Sequence, residues 1–169
     1  MCVAARNPQP VEAATPPFPS VAFMLSSLGY AVSRRFHLTL KPLELEPGEF
    51  ALLRAVAANE GEAQNALAER LHISPSWMVA IVDDLEKREL LERKPHARDR
   101  RIRNLHLTAK GGKLLRQAER KAMQFDREVA EPLSDAEVQQ LFELLERVAA
   151  GLDLQPGAHA ALRERASAG

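Results

Sequence analysis

The chain has 169 residues, 46% of them apolar, enough for one packed domain and against wholesale disorder. Its formal net charge is zero and it holds a single cysteine, Cys2, so an internal disulfide and a cysteine-based metal or iron–sulfur site are excluded. Aromatics are only 5%, and the abundance of Leu, Ala, Glu and Arg favours helices over strands.

The start, MCVAARNPQP, lacks the apolar stretch of a secretory signal, and no apolar run is long enough to span a membrane. One cysteine also suits a reducing compartment, so the expected location is the cytoplasm. Residues 1–20 carry Pro8, Pro10, Pro16, Pro17 and Pro19 with little periodicity and read as a flexible arm. From Phe23 to about Leu40, Leu25, Leu28, Val32, Phe36 and Leu40 recur at helical spacing, and Pro42 closes the helix. A second helix starts near Pro47, where the missing proline N–H costs nothing, and ends at Asn59-Glu60-Gly61.

A short helix from Gln64 to Leu71 follows, and His72-Ile73 makes a tight turn. Ser74 then reads as an N-cap and Pro75 as the first residue of a helix running to about Arg88. Met78, Ile81, Val82 and Leu85 give it a core face. Two short helices joined this way are a helix-turn-helix. Leu91–Lys94 and Arg101–Thr108 read as two strands around a polar tip, Pro95–Arg100. A hairpin placed directly behind a helix-turn-helix is a wing. Thr108 caps a long helix in which Leu115, Ala118, Ala122, Phe125 and Val129 form a narrow seam of the kind used for helix pairing. Pro132 breaks it, and Ser134 with Glu137 forms a capping box for a last helix bearing Leu141, Leu144, Leu145, Val148 and Leu152. The expected fold class is mainly α with a small β-hairpin wing. One domain spans about 21–155, with its winged helix-turn-helix over about 47–108, pairing helices at about 21–41 and 108–152, and a tail at 156–169.

Two groups of residues point to double-stranded DNA. A helix fits the major groove and reads base edges from its first turns. Here those turns present Ser74, Ser76, Trp77 and Val79. Ser76 can exchange hydrogen bonds with a base or phosphate, and Trp77 can meet a thymine methyl or brace the wing. The second group is the wing, where Arg93, Lys94, Arg98, Arg100, Arg101 and Arg103 crowd around a lone acid, Asp99. Such a cluster repels itself unless an anion faces it, and the narrow minor groove draws arginine. Asp99 is placed to hold a neighbouring guanidinium in a fixed direction. The neutral total charge, taken alone, argues mildly against nucleic acid, but the distribution matters more: Glu128, Glu131, Asp135, Glu137, Glu143 and Glu146 set many of the acids apart in the last helices.

Five pieces of sequence resemble the MarR family of transcriptional regulators. They are Leu67-Ala68 with Ile73-Ser74, then Val82-Asp83-Asp84-Leu85-Glu86, Leu90-Leu91-Glu92-Arg93, Asp99-Arg100-Arg101 and Leu107-Thr108-Ala109-Lys110-Gly111, in order across roughly residues 22–152. The resemblance implies a homodimer built from the first and last helices, a palindromic operator and repression relieved by a small molecule. It implies that Arg101 enters the minor groove, that Asp99 orients it and that Arg93 meets the phosphate backbone at the base of the wing. It also implies an effector cleft, for which Tyr30, Arg34, His37 and Phe50 are candidate lining residues. The sequence departs from the family where it has Val79 and Ala80 in place of threonine and arginine. It departs again at Asp84, often basic in the family, and at Glu89, often glycine. A recognition helix so poor in polar readers shifts the expected affinity towards the wing.

An enzyme is not expected. There is no glycine-rich phosphate loop, no nucleophile elbow and no metal-ligand spacing among His37, His72, His96, His106 and His159, so no catalytic residue, metal or cofactor is assigned. The alternative function is a winged-helix module for protein–protein association, supported by the neutral charge and by Asp83-Asp84.

Overall fold

The computed structural model describes residues 20–96, 99, 101–152 and 154. Most of the N-terminal arm and the C-terminal tail therefore lie outside the described residues. Two compact units are present, one ending at Arg34 and one beginning at Arg35. Helix α1 (Val21–Leu40) starts in the first unit, where the Ser20 Oγ accepts the N–H of Phe23 at 3.3 Å.

In the second unit a 3-10 turn over Lys41–Leu43 leads to α2 (Pro47–Ala58). α3 (Gln64–Arg70) and α4 (Pro75–Lys87) make the helix-turn-helix. Strands β1 (Leu91–Pro95) and β2 (Arg103–Leu107) form an antiparallel hairpin, with Leu91 opposite Leu107 and Pro95 opposite Arg103. α5 (Ala109–Ala130) and α6 (Asp135–Gly151) complete the order. The architecture is mainly helical with one two-stranded wing.

One core joins these elements. Leu52, Leu53 and Val56 of α2, Leu67 of α3, Met78, Val82 and Leu85 of α4, Leu91 and Leu105 of the hairpin, and Leu115 and Ala118 of α5 are all buried. These are the apolar stripes that the helical and strand periodicities pick out. The caps agree as well. Ser74 Oγ accepts from Trp77 N–H at 3.3 Å, Thr108 Oγ1 from Gly111 N–H at 2.9 Å, and Ser134 and Glu137 form their capping box.

The structure differs from the sequence reading in three places. β2 begins at Arg103, not Arg101, because Arg101 and Ile102 belong to the turn: the Ile102 N–H reaches the Asp99 carbonyl at 3.1 Å. The α5 seam is largely spent inside the chain. Leu115, Ala118 and Phe125 are buried, and α5 packs on α2, leaving Val129 exposed. A short amphipathic seam has the same spacing whether it meets its own core or another chain, so periodicity does not separate the two. Finally, the α2–α3 loop docks on β2 like a fragment of a third strand. Gly61 N–H donates to the Leu105 carbonyl and Leu105 N–H to the Glu62 carbonyl, both at 3.0 Å, with a bridge between Ala63 and Asn104.

α6 contributes no buried residue. Leu141, Leu144, Leu145 and Val148 expose 44%, 47%, 41% and 37% of their surface, so its apolar face is bare on a single chain.

Candidate nucleic-acid interface

The helix-turn-helix is closed by a Schellman motif. His72 takes a left-handed conformation (φ 53°) after α3, and Ile73 N–H returns to the Ala68 carbonyl at 2.9 Å. This sharp reversal launches α4 with Ser74 as its cap. The same device ends α4, where Glu89 (φ 59°) sits at the left-handed position and Leu90 N–H returns to the Leu85 carbonyl at 2.8 Å. Position 89 is thus a backbone site that glycine adopts without strain.

α4 buries Met78, Ile81, Val82 and Leu85 and turns Ser76, Val79 and Ala80 to solvent. Ser76 and Val79 of the sequence-derived reader set are exposed. Ser74 is a half-buried cap that also lies 3.4 Å from the Ser76 hydroxyl. Trp77 is half-buried against the core.

The wing cations separate into two kinds. Arg93 is drawn inward. Its Nη2 meets Asp83 at 2.6 Å, its Nη1 meets Glu86 at 2.6 Å, its Nε donates to the Gln64 amide oxygen at 2.9 Å, and its side chain is only 18% exposed. Lys94 pairs with Glu92 on its own strand at 2.8 Å. Arg101 and Arg103 are exposed and meet no carboxylate among the described residues. Asp99 accepts the backbone N–H of Arg101 at 2.9 Å, so it holds the main chain of the tip and makes no ion pair with Arg101 itself. A carboxylate two residues before an amide favours that local turn. Arg98 and Arg100 lie outside the described residues. The sequence pattern found the cation-rich hairpin. It missed the inward Arg93 cluster, although Asp83 and Glu86, three apart on one helix, share a face and signal such a partner.

Arg88 fixes the other end of α4. Its guanidinium reaches Glu49 of α2 at 3.0 Å, Asp84 at 3.3 Å and the Glu44 carbonyl at 2.5 Å. Partial burial opposes its charge, but Glu49 and Asp84 outweigh that and raise its pKa above the ordinary arginine value. Asp84 is thereby paired within the chain.

Of the residues named for an effector cleft, Tyr30 and Arg34 are exposed on α1 in the first unit. In the second, His37 Nδ1 bonds Glu46 at 3.1 Å, and Phe50 is buried edge-on to Phe36 with ring centres 5.8 Å apart. A separate groove of about 410 Å³ is lined by Leu43, Glu44, Arg88, Leu90, Lys110, Lys113, Leu114 and Gln117. No described helix is long and apolar enough to cross a membrane.

A helix-turn-helix followed by a hairpin and rooted on one core defines a winged helix-turn-helix protein. The model of the MarR family matches residues 43–102. The chain is 35% identical over 119 residues to a transcriptional regulatory protein assigned to the hcr operon of Thauera aromatica, covering 70% of this chain and 72% of that one. It is 32% identical over 105 residues to the HTH-type transcriptional regulator MhqR of Bacillus subtilis, covering 62% and 72%. Among solved structures, the transcriptional repressor CouR bound to a 23-mer DNA duplex aligns at a TM-score of 0.70 and 30% identity, over 77% of this chain and 92% of that one. A mutant of Escherichia coli MarR, with one cysteine replaced by serine and complexed with operator DNA, shares the fold at a TM-score of 0.68 and 21% identity, over 76% and 92%. The chain belongs to the MarR family and is a transcriptional regulator with a winged-helix DNA-binding fold.

Proposed function

We propose that this protein is a cytoplasmic, non-catalytic repressor that binds a pseudo-palindromic operator as a homodimer. The carrying observation is the division of the wing cations. Arg101 in the turn and Arg103 at the start of β2 stand exposed on a hairpin rooted on the helix-turn-helix, whereas Arg93 and Lys94 are already paired. Exposed guanidinium groups on a wing suit the narrow minor groove and the adjoining phosphates. We assign Arg101 to the groove and Arg103 to the adjoining backbone, with Asp99 shaping the tip, and keep Arg98 and Arg100 as DNA contacts on their sequence alone. Ser74 positions α4, while Ser76, Trp77 and Val79 face the major groove. CouR, at 30% identity, has a solved structure bound to a DNA duplex, which supports this docking.

The bare apolar face of α6 supports the homodimer, since four half-exposed aliphatic side chains on one helix call for a matching surface. A two-fold dimer would set half-sites about one helical turn apart. Control by a small organic effector is part of the proposal, and of the four cleft residues the half-exposed His37 is the polar group the second unit keeps accessible.

The test is a DNA titration on the segment upstream of the protein's own gene at two salt concentrations. Specific binding that falls steeply with salt is the expected result. Affinity indifferent to salt and to sequence would overturn the assignment in favour of a protein-association module.

A further inference from the structure

The wing and the recognition helix are joined by one side chain. Arg93 leaves the root of β1 and places its guanidinium between Asp83 and Glu86 of α4, at 2.6 Å from each. Its Nε reaches Gln64, the first residue of α3, at 2.9 Å. Glu86 completes the arrangement from the other side by accepting the Arg93 backbone N–H at 3.1 Å. Strand, recognition helix and the preceding helix thus meet on one planar cation. With 18% of its side chain exposed, Arg93 has little surface left for a phosphate.

Charge points the same way. Asp83 lies one turn beyond Val79 and Ala80 on α4, where an unpaired carboxylate would face DNA with the wrong sign. Pairing with Arg93 offsets part of that charge in place. The guanidinium fork is suited to this task, because its donors leave in fixed directions and can serve two carboxylates and an amide at once. A lysine offers the same charge without that geometry.

We propose that Arg93 is a positioning residue, which sets the wing on the recognition helix through Asp83, Glu86 and Gln64, and is not a phosphate contact. This rests on the reading of the protein as a DNA-binding regulator. It assigns the phosphate and groove contacts of the wing to the cations beyond Pro95.

Two measurements on the intact protein decide it. The first needs no DNA: amide hydrogen exchange at Arg93, Lys94 and Leu105 in Arg93→Lys and in Asp83→Asn. Both variants are expected to speed exchange in the hairpin about tenfold, the loss of roughly one good charge-assisted bond, while the amides of Leu53 and Val56 stay protected. The second is the salt dependence of operator affinity for Arg93→Gln. A positioning residue lowers affinity and leaves the slope as it was, whereas a lost phosphate contact lowers the slope by about one. Unchanged hairpin exchange in both variants, together with that lowered slope, would overturn the inference. Wild-type protein without specific DNA binding would instead sink the regulator reading, and the exchange data would still decide whether Arg93 holds the wing to α4.

Discussion

Gly111 lies directly beneath the backbone carbonyl of Leu90, so close that a Cβ built on it would collide with that oxygen. The contact joins the first turn of α5 to the start of the wing, beside the Thr108 N–H that donates to the same carbonyl at 3.2 Å. It gives the Leu107-Thr108-Ala109-Lys110-Gly111 run its physical meaning: threonine caps the helix and glycine lets it approach. Gly111→Ala must therefore push α5 off the wing. The expected cost is about 1–3 kcal/mol, seen as a lower urea midpoint with an unchanged slope. A midpoint equal to the wild type would show that the close approach is not needed.

Glu89 invites the opposite substitution. It holds a left-handed backbone at φ 59°, and its side chain makes only an exposed 3.3 Å pair with Lys110. Such a pair contributes little. Lys110 keeps its stronger 2.8 Å bond to the Arg88 carbonyl in any case. Glu89→Gly should stabilise the fold by about 0.5–1 kcal/mol, since glycine has no Cβ to strain there. Thermal melting is sufficient to see it, and a lower melting temperature would contradict the account.

Arg101→Ala should weaken operator binding by about 1–3 kcal/mol, the usual cost of a lost groove arginine. Lys94→Ala is the control, because Lys94 is already paired with Glu92. Equal losses for the two would mean that the division between free and paired cations has no bearing on DNA.

Leu145→Asp places a carboxylate in the middle of the bare α6 face. Sedimentation should then report a single chain where the wild type reports two, with helix content by circular dichroism preserved, since Leu145 is 41% exposed within one chain. Operator affinity should fall with it, as one half-site replaces two. A variant that still sediments as a dimer would move the interface away from α6.

The Glu137 carboxylate is held below the ordinary range by the Ser134 hydroxyl and then by its backbone N–H. The folded state favours the charged form, so the contribution is present at neutral pH and fades as pH falls through the lowered value. Glu137→Ala should be less stable than the wild type at neutral pH and level with it in strong acid. A gap that persists unchanged into acid would assign the loss to something other than this carboxylate.

Much of the fold was legible because its signals are local. Ser74 before Pro75, Thr108 before Gly111 and Ser134 before Glu137 each mark a helix start within four residues, and each is seen as a cap. The α2–α3 loop on β2 was not legible, because Gly61 and Leu105 meet through backbone groups that every residue possesses. The α5 seam shows the same limit from another side, since Leu115 and Phe125 reveal an apolar face and not what covers it.

The sequence by itself determined that a cation-rich hairpin follows a helix-turn-helix, since caps, periodicity and charge runs are properties of neighbours in the chain. Only the tertiary structure decided which of the described cations is already paired. Arg93 is paired with Asp83 and Glu86 and hydrogen-bonded to a glutamine 29 positions away, while Arg101 and Arg103 meet no carboxylate among the described residues. The physical reason is that a charge is spent or available according to what folding brings within about 3 Å of it, and spacing along the chain does not carry that information.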